Sequence, residues 1–200
     1  MSEVNIVYLD LLAFDGDKIL RGGALVTDPS TEPLEFRCTS AVRPTALQRI
    51  LWGARLDGHV AANLIGLPLL RKISQEYGLV VVKNPAFLEV RSAIEQPVIL
   101  MLRDSAIEFD EPDRRTNAEW GRDMAEGPEQ AHTQEEAEAV LANAAGRFEP
   151  VILQCHPRFP NDRSQARETL APIFAQRDVF EPFSRIVAAL ESVHEENLGE

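Results

Sequence analysis

The alternation of apolar and polar residues in the first forty positions predicts three β-strands. Val4–Leu12 is rich in Val, Ile and Leu and alternates weakly, and Lys18–Thr27 has a similar composition. Leu34–Thr39 alternates strictly, because every second residue is apolar. Asp, Gly and Pro residues separate these segments, and connections this short favour an antiparallel meander. Within the second segment, Gly22-Gly23 indicates a β-bulge or a close approach of neighbouring backbone.

A helical pattern follows the third strand. Thr45 and Gln48 have the spacing of a capping box, which predicts a helix N-terminus at this point. Apolar residues then recur every three or four positions, as on one face of a helix, at Leu47, Ile50, Leu51, Ala54, Gly58, Ala61, Leu64 and Ile65. Gly66 and Pro68 end this helix, and Leu69–Tyr77 is predicted to form a short second helix that Gly78 closes.

Strands and helices alternate from residue 79 to residue 102. Leu79–Lys83 and Pro97–Leu102 are continuous apolar runs, which is typical of fully buried strands, and Phe87–Ile94 between them is predicted to be helical. The order is therefore βββ-α-β-α-β. The right-handed crossover rule places the two later strands parallel to the first strand in one sheet. The sequence thus predicts an α/β (α+β) protein with a mixed sheet.

The second half of the chain has a different organisation. Residues 105–132 are charged and contain Pro and Gly, which indicates an acidic loop or linker. A capping box at Thr133 predicts a helix to about residue 147, Pro150–Cys155 reads as a strand, and two further helices are expected at about 161–176 and 181–195. We therefore expect a core at residues 1–104. Residues 133–200 would pack on this core or form a small second unit.

Composition and charge limit the classes of protein to which the chain can belong. The 200 residues are 44% hydrophobic, so the chain can bury a core, and it has no apolar run of the roughly 20 residues that a membrane span needs. The first ten residues do not resemble a secretory signal, and we expect a cytoplasmic protein. Cys38 and Cys155 are then expected to be buried thiols rather than a disulfide. The net charge is −12, which disfavours nucleic acid as a partner.

This negative charge belongs almost entirely to the second half. Residues 1–104 hold twelve acidic and eleven basic residues, whereas residues 105–200 hold twenty acidic and nine basic residues. Six bases against the single acid Asp57 lie between residues 36 and 74. The candidate binding residues are Arg37, Arg43, Thr45 and Arg49, together with Trp120 in the acidic stretch. This basic region would dock the acidic half, bind a partner protein or contact nucleic acid. The arginines do not form one stripe along a helix, and we expect no aromatic residue to be interleaved with them, as a single-strand binder would require.

One acidic residue, Asp10, stands near the end of the first strand. The element order of residues 4–102 resembles the ribonuclease H-like fold in topology, although not in sequence. That resemblance implies a metal-binding aspartate on the first strand and an acid after the fourth strand. Here Asp10 occupies the first position, but Lys83-Asn84 follows the fourth strand. Asp28 and Asp104 are the other candidates for a catalytic site that would hold Mg²⁺. The alternative is that all three acids lie at strand ends or in turns.

The sequence offers little other chemistry. Cys155-His156 could form a nucleophile and base, but adjacent residues of a strand point to opposite faces. His and Cys have no metal-ligand spacing, so no structural metal or cofactor is expected. We therefore expect a non-enzymatic accessory or adaptor subunit of a larger cytoplasmic assembly, with a protein partner and no membrane. The alternative is a divalent-metal-dependent ribonuclease H-like nuclease.

Overall fold

A seven-stranded mixed sheet forms the centre of the protein. The computed structural model describes residues 4–16, 18–103 and 139–196. The strands are β1 (Ile6–Phe14), β2 (Ile19–Thr27), β3 (Pro33–Cys38), β4 (Leu79–Val82), β5 (Val98–Arg103), β6 (Val140–Leu141) and β7 (Val151–Cys155). Their spatial order is β3-β2-β1-β4-β5-β7-β6.

The strand directions agree with the sequence prediction. β1, β2 and β3 form an antiparallel meander, whereas β4 pairs parallel to β1 and β5 pairs parallel to β4. The mixed α/β sheet and its ribonuclease H-like order are therefore confirmed. β7 pairs antiparallel to β5, so the strand of the second half extends the same sheet.

Helices cover both faces of this sheet. After β3 the chain forms α1 (Ala46–Trp52), a 3₁₀ turn (Gly53–Arg55), α2 (Leu56–His59), a π-helical stretch (Val60–Gly66) and α3 (Leu67–Leu70), and a 3₁₀ helix (Pro85–Ala93) joins β4 to β5. After β7 come α4 (Asp162–Phe174) and α5 (Glu181–Glu196). Among the described residues, every helix is too short or too polar to cross a membrane.

Alternate residues of each strand face two separate hydrophobic cores. On β1, Val7, Leu9 and Leu11 pack under the helices that follow β3. Ile6 and Tyr8 face the opposite side, under α4 and α5. Strands buried on both faces explain why the sequence shows apolar runs with little alternation.

Gly22 and Gly23 are positions where helices press against the sheet. A Cβ atom at Gly22 would lie 2.0 Å from Cγ2 of Ile65, and one at Gly23 would lie 2.8 Å from Cγ2 of Ile186. The first contact comes from the π-helical stretch and the second from α5, so both faces of β2 are closely covered. The pairing of β1 with β2 continues without interruption through both glycines. Their role is therefore close approach and not a bulge.

Several sequence expectations are wrong. Leu47, Ile50 and Leu51 do not face the core: their exposed fractions are 63%, 77% and 73%. Gly53 has a positive φ (51°) and ends α1, and the first buried residue of this segment is Leu56. The chain after α3 forms turns instead of a helix at 71–77, because the Glu35 carboxylate accepts hydrogen bonds from the backbone N–H groups of residues 74 and 75.

Two further expectations need correction. Val140–Leu141 is a strand paired with β7, where the sequence predicted the middle of a helix that runs from Thr133 to about residue 147. The first part of that helix, residues 133–138, lies outside the described residues, as does the acidic segment before it. Cys38 is exposed rather than buried, and both cysteines are free thiols.

Candidate functional site

Asp10 lies near the carboxyl end of β1, at the level where β4 ends. Leu9 is paired with Val82 of β4, so Lys83 follows directly at the level of Asp10. On its other side Asp10 is paired with Gly23 of β2. The Asp10 side chain is fully buried. Two residues that are 73 positions apart thus become neighbours only because β1 and β4 pair in parallel.

The Asp10 carboxylate forms an ion pair with Lys83. Its Oδ2 lies 2.8 Å from the Lys83 Nζ, and a quarter of the Lys83 side chain remains exposed. The Lys83 Nζ also lies 5.7 Å from the centre of the Phe183 ring, a cation–π distance. Phe183 itself packs edge-to-face on Tyr8 of β1. The ammonium group therefore bridges a buried carboxylate, an aromatic ring of α5 and the solvent.

Burial controls the protonation of Asp10. Desolvation raises the pKa of its carboxyl from 3.8 to about 6, and the Lys83 ammonium and the Leu11 backbone N–H oppose this increase. At neutral pH the carboxylate is ionised and paired with Lys83. Without the ammonium, the buried carboxyl would hold its proton more tightly.

The described residues do not fit the metal site that the ribonuclease H-like resemblance implies. An ammonium group contacts the Asp10 carboxylate, and no group of three His, Cys, Asp or Glu side chains in the described ranges could hold a metal ion. Asp28 does not meet Asp10. It follows Thr27, which is paired with Ile6 at the opposite end of β1, and its Oδ1 accepts the Glu32 N–H within a turn. Asp104 lies outside the described residues.

Two of the predicted binding residues have structural roles. Arg37 donates to the Glu35 carboxylate (2.7 Å) and to the Ser74 hydroxyl, and thereby holds the turn before β4. The capping box is present, because Thr45 Oγ1 accepts the Gln48 N–H and the Gln48 side chain accepts the Thr45 N–H. Trp120, another of the predicted binding residues, lies outside the described part of the chain.

Trp52 is the surface residue that the sequence analysis missed. It is 43% exposed and stacks on the His59 imidazole, with 3.9 Å between ring centres and 21° between planes. It lies three residues from Arg49 and three residues from Arg55, both exposed. The expectation that no aromatic residue is interleaved with the arginines is therefore wrong. The regular three-residue spacing of Arg49, Trp52 and Arg55 is the sequence feature that could have identified Trp52. We call Arg43, Arg49, Trp52, Arg55 and His59 the Trp52 surface.

The Trp52 surface begins at the same end of the sheet as the Asp10–Lys83 pair. Val42 forms an isolated bridge to Leu20, and Leu20 is paired with Ala13, three residues beyond Asp10 on β1. Arg43 and α1 therefore leave the sheet at the carboxyl end of β1, where Lys83 reaches solvent.

Cys155 and His156 form no catalytic pair. The Cys155 thiol donates to the Pro160 carbonyl oxygen, whereas the His156 Nδ1 accepts the Arg158 N–H. The two side chains make separate contacts, as expected for adjacent residues at the end of a strand.

Known structures show where this architecture recurs. Endonuclease V from Streptomyces avermitilis superposes with a TM-score of 0.61 at 14% identity, over 97% of this chain and 82% of that protein. Endonuclease V from Bacillus subtilis superposes with a TM-score of 0.54 at 13% identity, over 98% of this chain and 84% of that protein. The chain has the endonuclease V fold. No protein-family model matches the sequence, and no curated protein does.

The endonuclease V fold corrects two expectations. A non-enzymatic accessory or adaptor subunit is wrong as the leading interpretation, because the solved proteins that share this fold are nucleases and point to the nuclease alternative. The expectation of a protein partner, with nucleic acid disfavoured by net charge, is wrong for the same reason. The net charge of the whole chain is a poor guide to its partner, because the acidic residues lie in the second half, whereas the Trp52 surface is locally basic.

Proposed function

We propose that this protein acts on nucleic acid at the carboxyl end of its parallel strands. The Trp52 surface would bind the strand, and Lys83 would contact a phosphodiester group. The observation that carries this proposal is the exposed Trp52–His59 stack with an arginine three residues to either side. The Asp10–Lys83 pair lies at the end of the sheet from which this helical segment starts. The endonuclease V fold supports the same class of ligand.

The Trp52 surface has the chemistry that single-stranded nucleic acid requires. An exposed indole offers a flat face on which a base can stack, and the arginine guanidinium groups pair with phosphates. The His59 ring holds the indole from behind, which fixes its orientation before binding. In an acidic protein, a local cluster of arginines also directs a polyanion toward this end of the sheet.

Lys83 is suited to hold a phosphate, and Asp10 is suited to hold Lys83. The Lys83 side chain is a quarter exposed, so its ammonium can reach a bound phosphate, whereas fully buried Asp10 cannot. Asp10 is accordingly a positioning residue. Its carboxylate holds the ammonium from the buried side, and because a lysine ammonium has three N–H donors, donors remain for a phosphate on the solvent side.

Phosphodiester cleavage is the second candidate function. The observation that favours it is that Asp10 holds the first-strand position of the aspartate implied by the ribonuclease H-like resemblance, in a chain whose fold neighbours are endonucleases. Incubation with DNA and RNA followed by denaturing gels would test it. Cleavage that disappears in the Asp10→Asn variant supports this function, and intact strands under all conditions contradict it.

Binding is tested by fluorescence anisotropy with labelled single-stranded and duplex DNA and RNA of roughly 20 nucleotides. We expect Trp52→Ala to weaken single-strand binding about 5- to 150-fold, because one stacked base contributes about 1–3 kcal/mol. If three cations contact phosphates, affinity should fall about 20-fold between 50 and 200 mM salt. Leu51→Ala is the matched control, since it removes an exposed apolar side chain with no aromatic face.

Charge variants separate the two parts of the site. Lys83→Met and a double Arg43→Gln, Arg55→Gln variant should each weaken binding and reduce its salt dependence, whereas Lys83→Arg should retain both. Arg177→Gln, an exposed arginine after α4, is the control with the same change of charge as Lys83→Met. Absence of wild-type binding to any of these nucleic acids, or unchanged affinity in Trp52→Ala and Lys83→Met, would overturn the proposal. The cytoplasmic location expected from the sequence remains a proposal, which cell fractionation can test.

A further inference from the structure

The residue after β4 is a base where the ribonuclease H-like resemblance implies an acid. In this chain Lys83 follows Val82, and its Nζ lies 2.8 Å from the Asp10 Oδ2. A metal ion bound to the same carboxylate oxygen would have to share the space in which this ammonium lies. The chain therefore places a lysine ammonium at the point where the ribonuclease H-like resemblance implies a bound metal ion.

We propose that the Lys83 ammonium takes the place of a divalent cation at the Asp10 carboxylate, so that the wild-type protein binds no Mg²⁺ or Mn²⁺ at this point. Ligand number is the first reason. Mg²⁺ requires six oxygen ligands in octahedral geometry, usually with several waters. Asp10 is fully buried, and no other carboxylate of the described residues joins it in a metal-binding group.

Charge balance is the second reason. One carboxylate and one ammonium compensate each other completely, whereas a dication beside Lys83 would add two positive charges against the single charge of Asp10. The Phe183 ring further favours an ammonium at this point, because its π face attracts a cation without supplying an oxygen ligand. The charges of Asp10 and Lys83 therefore balance without a metal ion, and a metal ion would first have to displace the Lys83 ammonium.

The test compares metal binding in the wild type, in Asp10→Asn and in four further variants, with no nucleic acid present. Isothermal titration with MnCl₂ at neutral pH measures binding, and thermal unfolding with and without Mn²⁺ measures whether the ion stabilises the fold. Lys83→Asp and Lys83→Asn remove the ammonium and add oxygen ligands. The double variant Asp10→Asn, Lys83→Asp removes the carboxylate on which the new site depends. Lys72→Asp makes the same charge change before β4, at its opposite end, on an exposed lysine.

We expect identical Mn²⁺ titrations for the wild type and for Asp10→Asn, since any weak binding elsewhere is common to both. Lys83→Asp should bind Mn²⁺ at least tenfold more tightly than the wild type and should gain several degrees of melting temperature on adding the ion. The double variant and Lys72→Asp should show neither gain. If Lys83→Asp does not fold, the wild type, Asp10→Asn and Lys83→Asn carry the same comparison.

Two results would overturn this proposal. One is wild-type Mn²⁺ or Mg²⁺ binding that Asp10→Asn abolishes, which would show that a metal coexists with Lys83. The other is a folded Lys83→Asp or Lys83→Asn variant with no gain in Mn²⁺ affinity. Because these titrations contain no nucleic acid, their outcome does not depend on whether the protein binds nucleic acid.

Discussion

Replacing Asp10 by Asn should stabilise the protein at neutral pH and leave its stability nearly unchanged at about pH 3. The asparagine side chain keeps the shape of the aspartate but cannot ionise. In the folded protein the pKa of Asp10 is raised to about 6, mainly by desolvation, against 3.8 for an exposed aspartate carboxyl. The folded state therefore holds the Asp10 proton more tightly than the unfolded state does.

The sign of the effect follows from this order of pKa values. Well below pH 3.8 the carboxyl is protonated in both states and does not disfavour folding. As the pH rises from 4 to 6, the unfolded chain loses the proton first, so ionisation favours unfolding and the wild type loses stability. Above pH 7 the loss is complete. The difference between 3.8 and about 6 corresponds to about 3 kcal/mol, of which about 2 kcal/mol should appear between pH 4 and pH 8.

Urea denaturation of both proteins across this pH range measures the effect. Other acidic groups titrate in both proteins, so the informative quantity is the difference in unfolding free energy between Asp10→Asn and the wild type. We expect that difference to grow with pH in favour of the variant. A constant difference, or one that grows in favour of the wild type, would refute the reasoning, because the Lys83 ion pair would then outweigh burial. Lys83→Met is the companion variant. It removes the group that lowers the Asp10 pKa, so its stability should fall more steeply with pH than that of the wild type.

Three further predictions concern the scaffold. Asp162→Asn should destabilise the fold by about 3 kcal/mol in urea, because Arg91 donates two hydrogen bonds to the Asp162 carboxylate and would lose its charged partner; a change below about 1 kcal/mol would show that the pair is dispensable. Gly22→Ala should cost about 1–3 kcal/mol through the clash with Ile65, and combining it with Ile65→Ala should recover part of that loss, whereas strictly additive effects would contradict a direct contact. Ile50→Ser should change stability by less than about 0.5 kcal/mol, because Ile50 is 77% exposed; a large loss of stability would mean that α1 is buried.

The tight contacts at Gly22 and Gly23 show how far local sequence patterns reach. A glycine pair within a strand indicates a bulge or a close approach, and here helix side chains rather than backbone approach both faces of β2. The sequence does not show that the approaching groups are Ile65 and Ile186. Those residues lie on helices about 40 and 160 positions away, and only packing against the sheet brings them to the glycines.

By itself the sequence determined six of the seven described strands and the arrangement of the first five. Strand periodicity and turn chemistry are local properties, and the short connections before β3 and the crossovers after it leave few ways to arrange one sheet. The capping box at Thr45 is equally local, and it forms as predicted. The sequence also showed Lys83 in place of the acid that the ribonuclease H-like resemblance implies after the fourth strand.

Only the tertiary structure decided how these residues act. The parallel register of β1 and β4 places Lys83 on Asp10, and no periodicity within either strand encodes that contact. The change of helical winding at Gly53 exposes α1 and Trp52, although the apolar spacing of residues 47–65 predicts one continuous buried face. Burial and charge pairing depend on residues far apart in the chain. The burial of Asp10, its raised pKa and its ion pair with Lys83 therefore arise only in the folded protein, where the sheet and α5 enclose the side chain.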